Sequence, residues 1–146
     1  MKATTMYQPW ASLLIWDLKG PETRPLRMNH RGELAIHSGL KSIREACRIM
    51  KVSLSDYERM HGALREKQMS EGMNPRASPM PSGHVLGIVE VTDCVPTQEI
   101  RDSLTDFQRL CGNYADGRWA ILYEVLERFE TPIPCKGAQG LWEWER

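Results

Sequence analysis

The spacing of the strand-like segments constrains the fold of this chain more than any other feature. The strongest of them is His84–Cys94, in which β-branched residues are frequent. Four further segments have strand-like composition: Lys2–Tyr7, Glu33–Ser38, Arg118–Val125 and Leu141–Trp144. Insertions of unequal length separate these segments, which does not fit a regular alternation of strand and helix. The sequence therefore predicts an α+β fold, with about five to six short strands in a curled sheet or small β-barrel.

Helices are predicted between these strands. The first starts at Gln8-Pro9-Trp10, where a proline in the first turn costs no hydrogen bond, and ends at Gly20-Pro21. The others cover the segments Lys41–Lys51, Ser55–Gln68 and Pro96–Leu110. A capping-box pattern at Ser55 opens the third helix. Three prolines and two glycines between residues 71 and 83 predict a loop. Two prolines predict a separate extended segment at Thr131–Pro134.

Composition limits the functional classes. The chain has 146 residues and no net formal charge, which fits one domain (residues 1–146) and gives no global electrostatic case for nucleic-acid binding. Its most apolar stretch, Trp10–Leu18, is too short to cross a bilayer, so we expect no membrane association and a cytoplasmic location. The four cysteines lie far apart in sequence, which favours free thiols over a metal site, and no cofactor is expected.

The segment Lys19-Gly20-Pro21-Glu22-Thr23-Arg24 holds the densest group of charged side chains. On a strand, Glu22 and Arg24 point to one face and Thr23 to the other. Opposite charges two residues apart have two interpretations. They form a surface ion pair of little consequence, or they present a carboxylate and a fork of donors to a ligand.

His37 and Lys136 are two further candidates. His37 lies near the end of a predicted strand, where it is either a hydrogen-bonded structural residue or a donor that lines a cleft. Lys136 follows the rigid segment Pro132-Ile133-Pro134 and precedes a turn bounded by Gly137 and Gly140. The backbone amides of such a turn can approach an anion. The alternative for this segment is a structural crossover with an exposed lysine.

Four blocks of the sequence, in order, resemble the ASCH family, which is named for a homology domain of a transcription coactivator. The blocks are Gln8–Ala11 with Lys19-x-x-Glu22-Thr23-Arg24, Arg31–His37, Gly83–Val91 and Pro132–Trp142. The resemblance implies a PUA-like β-barrel with flanking helices. The uncovered residues, at about 41–82, would then be a variable helical insertion and loop within one ASCH-like domain.

The resemblance also implies a function. PUA-like barrels mostly bind RNA or modified nucleotides, so the implied partners are RNA, another single-stranded nucleic acid or a modified nucleoside. In ASCH domains a lysine, a glutamate and an arginine line a cleft beside the barrel. The predicted ligand-binding residues are Lys19, Glu22, Thr23, Arg24, His37 and Lys136. Residues 1–76 carry 13 basic and 8 acidic groups, which fits a local basic cleft on a neutral protein.

A hydrolase that uses the same cleft is the alternative. Some members of the family remove acyl groups from N4-acetylcytidine with a Lys-Thr-Glu set, and another relative is a ribonuclease. The candidate catalytic residues here are Lys19, as nucleophile or base, and Glu22, as proton shuttle. Glu22 stands where that subgroup has its threonine, and Glu90 and Glu99 are candidates for the third member. A third possibility is a protein-interaction adaptor that acts through the Tyr57–Gln68 helix and the loop after it.

Overall fold

The computed structural model describes all residues from 1 to 146 and contains six strands and four α-helices. The strands are β1 (Lys2–Met6), β2 (Glu22–Arg24), β3 (Gly32–Ser38), β4 (His84–Pro96), β5 (Trp119–Pro134) and β6 (Leu141–Glu143). The helices are α1 (Trp10–Ile15), α2 (Ile43–Ile49), α3 (Leu54–Ser70) and α4 (Asp106–Leu110). Two 3₁₀ turns connect β4 to α4: Thr97–Glu99 and Arg101–Ser103. None of the helices has the length and apolar character that crossing a membrane requires.

The six strands form one mixed sheet in the order β2-β5-β4-β3-β1-β6. Neighbouring strands are antiparallel, except that β1 and β3 are parallel, with Thr4 opposite Ile36 and Thr5 opposite His37. The sheet curls into a half-barrel. This confirms the predicted α+β class with five to six strands, and the architecture is consistent with a small PUA-like β-barrel.

The apolar core lies on both faces of β3. Leu34 and Ile36 belong to the largest apolar cluster, which includes residues of α1, whereas Ala35 belongs to a second cluster with Phe129 and Trp144. These three β3 residues are at most 3% exposed. The uninterrupted apolar run in this strand therefore reflects burial on both faces, as the sequence predicts.

Gly87 of β4 allows α1 to lie close against the sheet. A Cβ atom at this position would be 2.2 Å from the carbonyl oxygen of Glu127 and 2.6 Å from the Cδ1 atom of Ile15. Both distances are shorter than any normal contact, so only glycine fits. Every residue of α1 is buried, and this packing fixes the position from which the chain turns towards β2.

Several helix boundaries differ from the prediction, and α2 is shorter at both ends than the predicted Lys41–Lys51. α1 ends at Ile15, before its predicted end, and Asp17 shortly after it adopts a left-handed backbone conformation with a φ of 56°. α3 begins after Ser53 and not at Ser55, because the hydroxyl of Ser53 accepts a hydrogen bond from the backbone amide of Asp56. The predicted capping pattern is thus displaced by two residues.

The prediction of a helix over Pro96–Leu110 is wrong for most of this segment. Two 3₁₀ turns replace its first half, and an extended Leu104 interrupts the chain before α4. α4 starts after Thr105, whose hydroxyl takes part in a capping box. The hydroxyl of Thr97 donates to the carbonyl oxygen of Ala115 at 2.7 Å. This contact between distant residues holds the first turn, and no local sequence pattern reveals it.

The predicted strand Arg118–Val125 and the separate extended segment Thr131–Pro134 are parts of one strand, β5. β5 continues between them because β4 pairs with it along most of its length. The register shifts at several points, and such bulges bend a long strand without ending it. The three glutamates between residues 124 and 130 obscured this continuity, since glutamate is depleted in strands.

Candidate functional site

Lys19 has the largest side chain among the fully buried residues of the protein. Its ammonium group donates to the carbonyl oxygen of Pro21 at 2.9 Å and to the Oε1 atom of Glu22 at 3.3 Å. The same Oε1 atom accepts the backbone amide of Thr23 at 3.0 Å. A buried charge needs such compensation, and the turn after Lys19 folds the compensating groups back onto it.

Arg24 shares one face of β2 with Glu22, yet the two side chains do not form an ion pair. The Nη2 atom of Arg24 instead donates to the hydroxyl of Thr4, on β1, at 2.8 Å. In a flat sheet of this strand order, β1 and β2 would lie four strand spacings, or about 19 Å, apart. The curl of the sheet is therefore what brings Arg24 to Thr4.

Glu22, Thr23 and Arg24 line a cavity of about 220 Å³, which we call the Arg24 cavity. The rest of its wall comes from β1, α1, the α2–α3 connection and the end of α4; these residues are Thr5, Met6, Tyr7, Trp10, Met50, Val52 and Leu110–Asn113. The Oε2 atom of Glu22 receives no hydrogen bond within the protein, and Arg24 keeps unused N–H groups. The cavity thus presents an acceptor and several donors side by side.

Three titratable side chains near the cavity have pKa values raised above their usual range: Cys111, Tyr114 and Tyr123. Burial raises the pKa of the Cys111 thiol to about 11, although the positive charge of Lys19 acts in the opposite direction. Burial, and then the charge of Glu22, raises the pKa of both Tyr114 and Tyr123. Since the thiolate is the nucleophilic form of cysteine, this raised pKa makes Cys111 a poorer nucleophile at neutral pH than an ordinary cysteine. The hydroxyl of Tyr123 donates to the carbonyl oxygen of Gly20 and so helps to hold the turn before β2.

A second and wider cavity, of about 590 Å³, adjoins the first and shares Thr5 and Tyr7 with it. We call it the Lys136 cavity; its wall consists of Thr5, Tyr7, His37, Gly39–Lys41 and Cys135–Gly140. Lys136 is exposed and has no ion-pair partner. The candidate residues that line a cavity therefore divide between two neighbouring cavities.

His37 is buried and uses both of its ring nitrogens in hydrogen bonds. Its Nε2 atom donates to the carbonyl oxygen of Cys135 at 2.9 Å, which places the hydrogen on Nε2. Its Nδ1 atom then accepts from the hydroxyl of Thr5 at 3.2 Å, and the Nε1 atom of Trp142 donates to that hydroxyl at 3.2 Å. The imidazole ties the closing segment to β1, which is the structural interpretation that the sequence left open, and it also borders the Lys136 cavity.

Gly137 allows the closing segment to lie directly on His37. A Cβ atom at Gly137 would be 2.5 Å from two atoms of the imidazole ring and 2.7 Å from the hydroxyl oxygen of Thr5. Gly140, at the other end of the turn, has a φ of 68°, which favours glycine. Close contacts therefore require glycine at position 137, and the backbone conformation favours glycine at position 140.

The structure brings four of the six candidate residues together on the turn and strand around β2, and places the other two at the adjoining cavity. The four are Lys19, Glu22, Thr23 and Arg24; the two are His37 and Lys136. Lys19 itself does not line either cavity, because it contacts Glu22 from inside the protein. Neither Glu90 nor Glu99 lines the Arg24 cavity.

Sequence reasoning missed several residues of these walls, namely Tyr7, Lys41 and Cys111–Asn113. It also missed Thr4, which holds the Arg24 side chain. Each of them reaches the site only through the curl of the sheet or the packing of α2 and α4. No local signal marks such residues, because the contacts join segments that are far apart in the chain.

Another cavity of about 590 Å³ lies between α1, the loop after α3 and β5, and contains none of the candidate residues. Its main cation, Arg128, is already engaged. The guanidinium carbon lies 3.6 Å from the ring centroid of Trp16, and Nη2 lies 2.9 Å from a carboxylate oxygen of Glu71. A cation that is stacked and paired in this way is less available to a ligand than Arg24.

Comparison with known proteins shows similarity to activating signal cointegrator 1. The chain is 26% identical to the Mus musculus protein and 24% identical to the Homo sapiens protein, in each case over 139 residues. The alignment covers 95% of this chain and 21% of either relative, so the chain spans about a fifth of the length of these proteins. No family model matches the sequence. The similarity over nearly the whole chain supports the ASCH resemblance at low identity.

Proposed function

We propose that this protein binds single-stranded RNA or a modified nucleoside through the Arg24 cavity. The observation that carries the proposal is the state of Arg24: its guanidinium is held by one hydrogen bond to Thr4 and has no carboxylate partner. A cation that is oriented but unpaired, beside a cavity, is suited to charge-assisted hydrogen bonds with a ligand. The resemblance to the ASCH family and the barrel-like sheet add support.

Glu22 and Arg24 together suit the edge of a nucleobase. Arginine presents planar donors to base-edge acceptors, and the free Oε2 atom of Glu22 can accept from an exocyclic amino group. Tyr7 lines the same cavity and offers an aromatic face for stacking. The volume of about 220 Å³ is below the roughly 300–1,000 Å³ of most small-molecule sites, which favours one base over a whole nucleotide.

Lys19 acts indirectly in this proposal. Its ammonium group is inaccessible and already engaged with Pro21 and Glu22. Lys19 therefore orients the Glu22 carboxylate, whose Oε1 atom it contacts, and leaves the Oε2 atom to the ligand.

Hydrolysis at the same cavity is the less favoured alternative. It requires the ammonium nitrogen of Lys19 to reach a substrate, yet this side chain is fully buried. The nearby thiol of Cys111 is buried as well, with a pKa raised to about 11. Because neither group is available as a nucleophile, we place binding ahead of catalysis.

Two arginine variants test the binding proposal. Arg24→Ala is compared with Arg27→Ala, since Arg27 is exposed, lies over the Trp119 ring and lines neither cavity. We expect Arg24→Ala to weaken the binding of short single-stranded RNAs by about 1–3 kcal/mol, and Arg27→Ala to change it little. Fluorescence anisotropy measures both. Equal losses would indicate general charge attraction, and unchanged affinity in Arg24→Ala would remove Arg24 from the site.

A turnover assay tests the hydrolase alternative. N4-acetylcytidine and short single-stranded RNAs are offered together to the wild-type protein and to Glu22→Gln, and products are followed by mass spectrometry. Product formed by the wild type and lost in the variant would establish catalysis at this cavity. Retention of a substrate without product would support binding.

A further inference from the structure

We propose that the Lys136 cavity is a phosphate subsite, so that the ligand is a phosphate-bearing nucleotide or strand rather than a free nucleoside. The inference rests on the proposed function, and it adds the chemical class of the ligand. Three observations support it: the two cavities share part of their walls, the Lys136 cavity has cations and no carboxylate on its wall, and the backbone amides of the closing turn are unpaired.

The two cavities are neighbours, because Thr5 and Tyr7 line both of them. A nucleobase that occupies the Arg24 cavity extends its sugar and phosphate past Tyr7. The volume of about 590 Å³ in the Lys136 cavity, against about 220 Å³ in the Arg24 cavity, leaves room there for the larger part of a nucleotide.

The wall of the Lys136 cavity carries two lysines and no carboxylate. Lys136 has no ion-pair partner. The ammonium nitrogen of Lys41 lies 5.7 Å from the ring centroid of Tyr7 and 3.8 Å from the nearest carboxylate oxygen of Glu45, which is too far for a hydrogen bond. Glu45 itself lies outside the wall. Lys136 is therefore free to contact an anion in this cavity, whereas Lys41 is held only by a long ion pair with Glu45 and by its contact with the Tyr7 ring.

The closing turn adds backbone donors to these charges. The amide N–H groups of residues 136–140 donate to no backbone or side-chain acceptor within the protein. The hydrogen bond from His37 to Cys135 and the close contact at Gly137 hold this backbone in place before any ligand arrives. Successive unpaired amides beside lysines are typical of anion-binding turns, and a phosphate offers enough oxygens to use them.

The first arm of the test does not depend on the proposed function. Inorganic pyrophosphate is titrated into ¹⁵N-labelled protein, and the amide signals of residues 136–140 are followed. We expect these signals to shift in the wild type and in Lys67→Gln, a control on α3 outside both cavities, and to shift less in Lys136→Gln. Absence of shifts at these residues in the wild type overturns the subsite.

The second arm measures the contribution of the phosphate. The affinities of a nucleoside and of its 5′- and 3′-monophosphates are compared in the wild type, Lys41→Gln, Lys136→Gln and Lys67→Gln. We expect at least one monophosphate to bind about tenfold more tightly than the nucleoside, and this ratio to fall at least threefold in each cavity variant but not in the control. With single-stranded RNA, the slope of log affinity against log salt should fall by about 0.7 per lost contact.

The outcomes separate the two proposals. Equal affinity of nucleoside and monophosphates in the wild type, or equal losses in the cavity variants and the control, overturns the phosphate subsite and leaves the Arg24 cavity standing. Unchanged nucleoside affinity in Arg24→Ala, together with a reduced phosphate contribution in Lys136→Gln, overturns the proposed function and supports the subsite.

Discussion

The Arg24 cavity and the Lys136 cavity meet at Thr5 and Tyr7 but differ in what lies behind their walls. Behind Glu22 lies a fully buried charge, Lys19. The wall of the other cavity is held by the imidazole of His37, which forms hydrogen bonds through both ring nitrogens. One cavity thus depends on an ion pair whose cation is fully buried, and the other on a chain of hydrogen bonds through the His37 ring.

This difference has an energetic consequence. A buried charge that loses its partner is costly, whereas an exposed cation such as Lys136 contributes little to stability and remains free for a ligand. We therefore expect substitutions around Lys19 to affect folding first. Substitutions of exposed charges at the Lys136 cavity should affect binding and leave the fold intact.

The largest expected effect is that of Lys19→Met, which keeps most of the side-chain volume but removes the charge beside Glu22. We expect the free energy of unfolding to fall by about 3 kcal/mol, because a partly buried carboxylate loses its compensation. Denaturation by urea, followed by circular dichroism, measures it. Lys136→Met is the control and should change stability much less. A similar loss in both variants would contradict the expectation that folding depends on the charge behind the Arg24 cavity and not on the exposed charge of Lys136.

A second prediction concerns alkaline pH. The pKa of Cys111 is about 11 in the folded protein and 9.0 in the reference state, so its neutral form stabilises the fold fully below pH 9. This contribution is lost as pH rises through 11, and a difference of two units corresponds to about 3 kcal/mol. The raised pKa values of Tyr114 and Tyr123 act in the same direction.

The alkaline effect is measured as the free energy of unfolding in urea between pH 7 and pH 11. Cys111→Ala should lose stability less steeply over this range than the wild type. If both proteins follow the same curve, the buried thiol is not responsible for the loss.

A pair of glycine substitutions gives effects of opposite sign. Gly137→Ala should destabilise the protein by about 1–3 kcal/mol, because the added Cβ atom meets the His37 ring at 2.5 Å. Gly62→Ala, in the middle of α3, meets nothing within 4 Å and should stabilise it by about 0.5–1 kcal/mol. Thermal melting measures both. A neutral Gly137→Ala would mean that the closing turn is not held against His37.

The smallest effect distinguishes the two cavities through their thiols. Cys135, on the Lys136 cavity, is partly exposed, whereas Cys111, on the Arg24 cavity, is 1% exposed. With limiting iodoacetamide at pH 7.5, we expect Cys135 to be alkylated in the native protein and Cys111 only in denaturant. Peptide mass spectrometry measures the alkylated fraction of each cysteine. Rapid native alkylation of Cys111 would show that the Arg24 cavity opens more widely than the structure indicates.

Local patterns in the sequence were sufficient for much of the fold. β-branched residues predicted β4, and the apolar run in β3 predicted burial on both faces. The spacing of Glu22 and Arg24 placed both on one face, because side chains alternate along any strand. The prediction was wrong for Pro96–Leu110 and divided β5 in two, since a tertiary contact at Thr97 and pairing with β4 decide those segments.

What the sequence by itself determined is which residues are chemically suited to a site, because charge, donor geometry and turn-forming glycines are local properties. Only the tertiary structure decided how they are used. Burial placed Lys19 behind Glu22 and outside both cavities, and the curl of the sheet joined Arg24 to Thr4. The closing turn is joined to β1 through His37, whose hydrogen-bond partner Cys135 lies 98 residues further along the chain. Such contacts depend on strand order and curvature, which no short segment encodes.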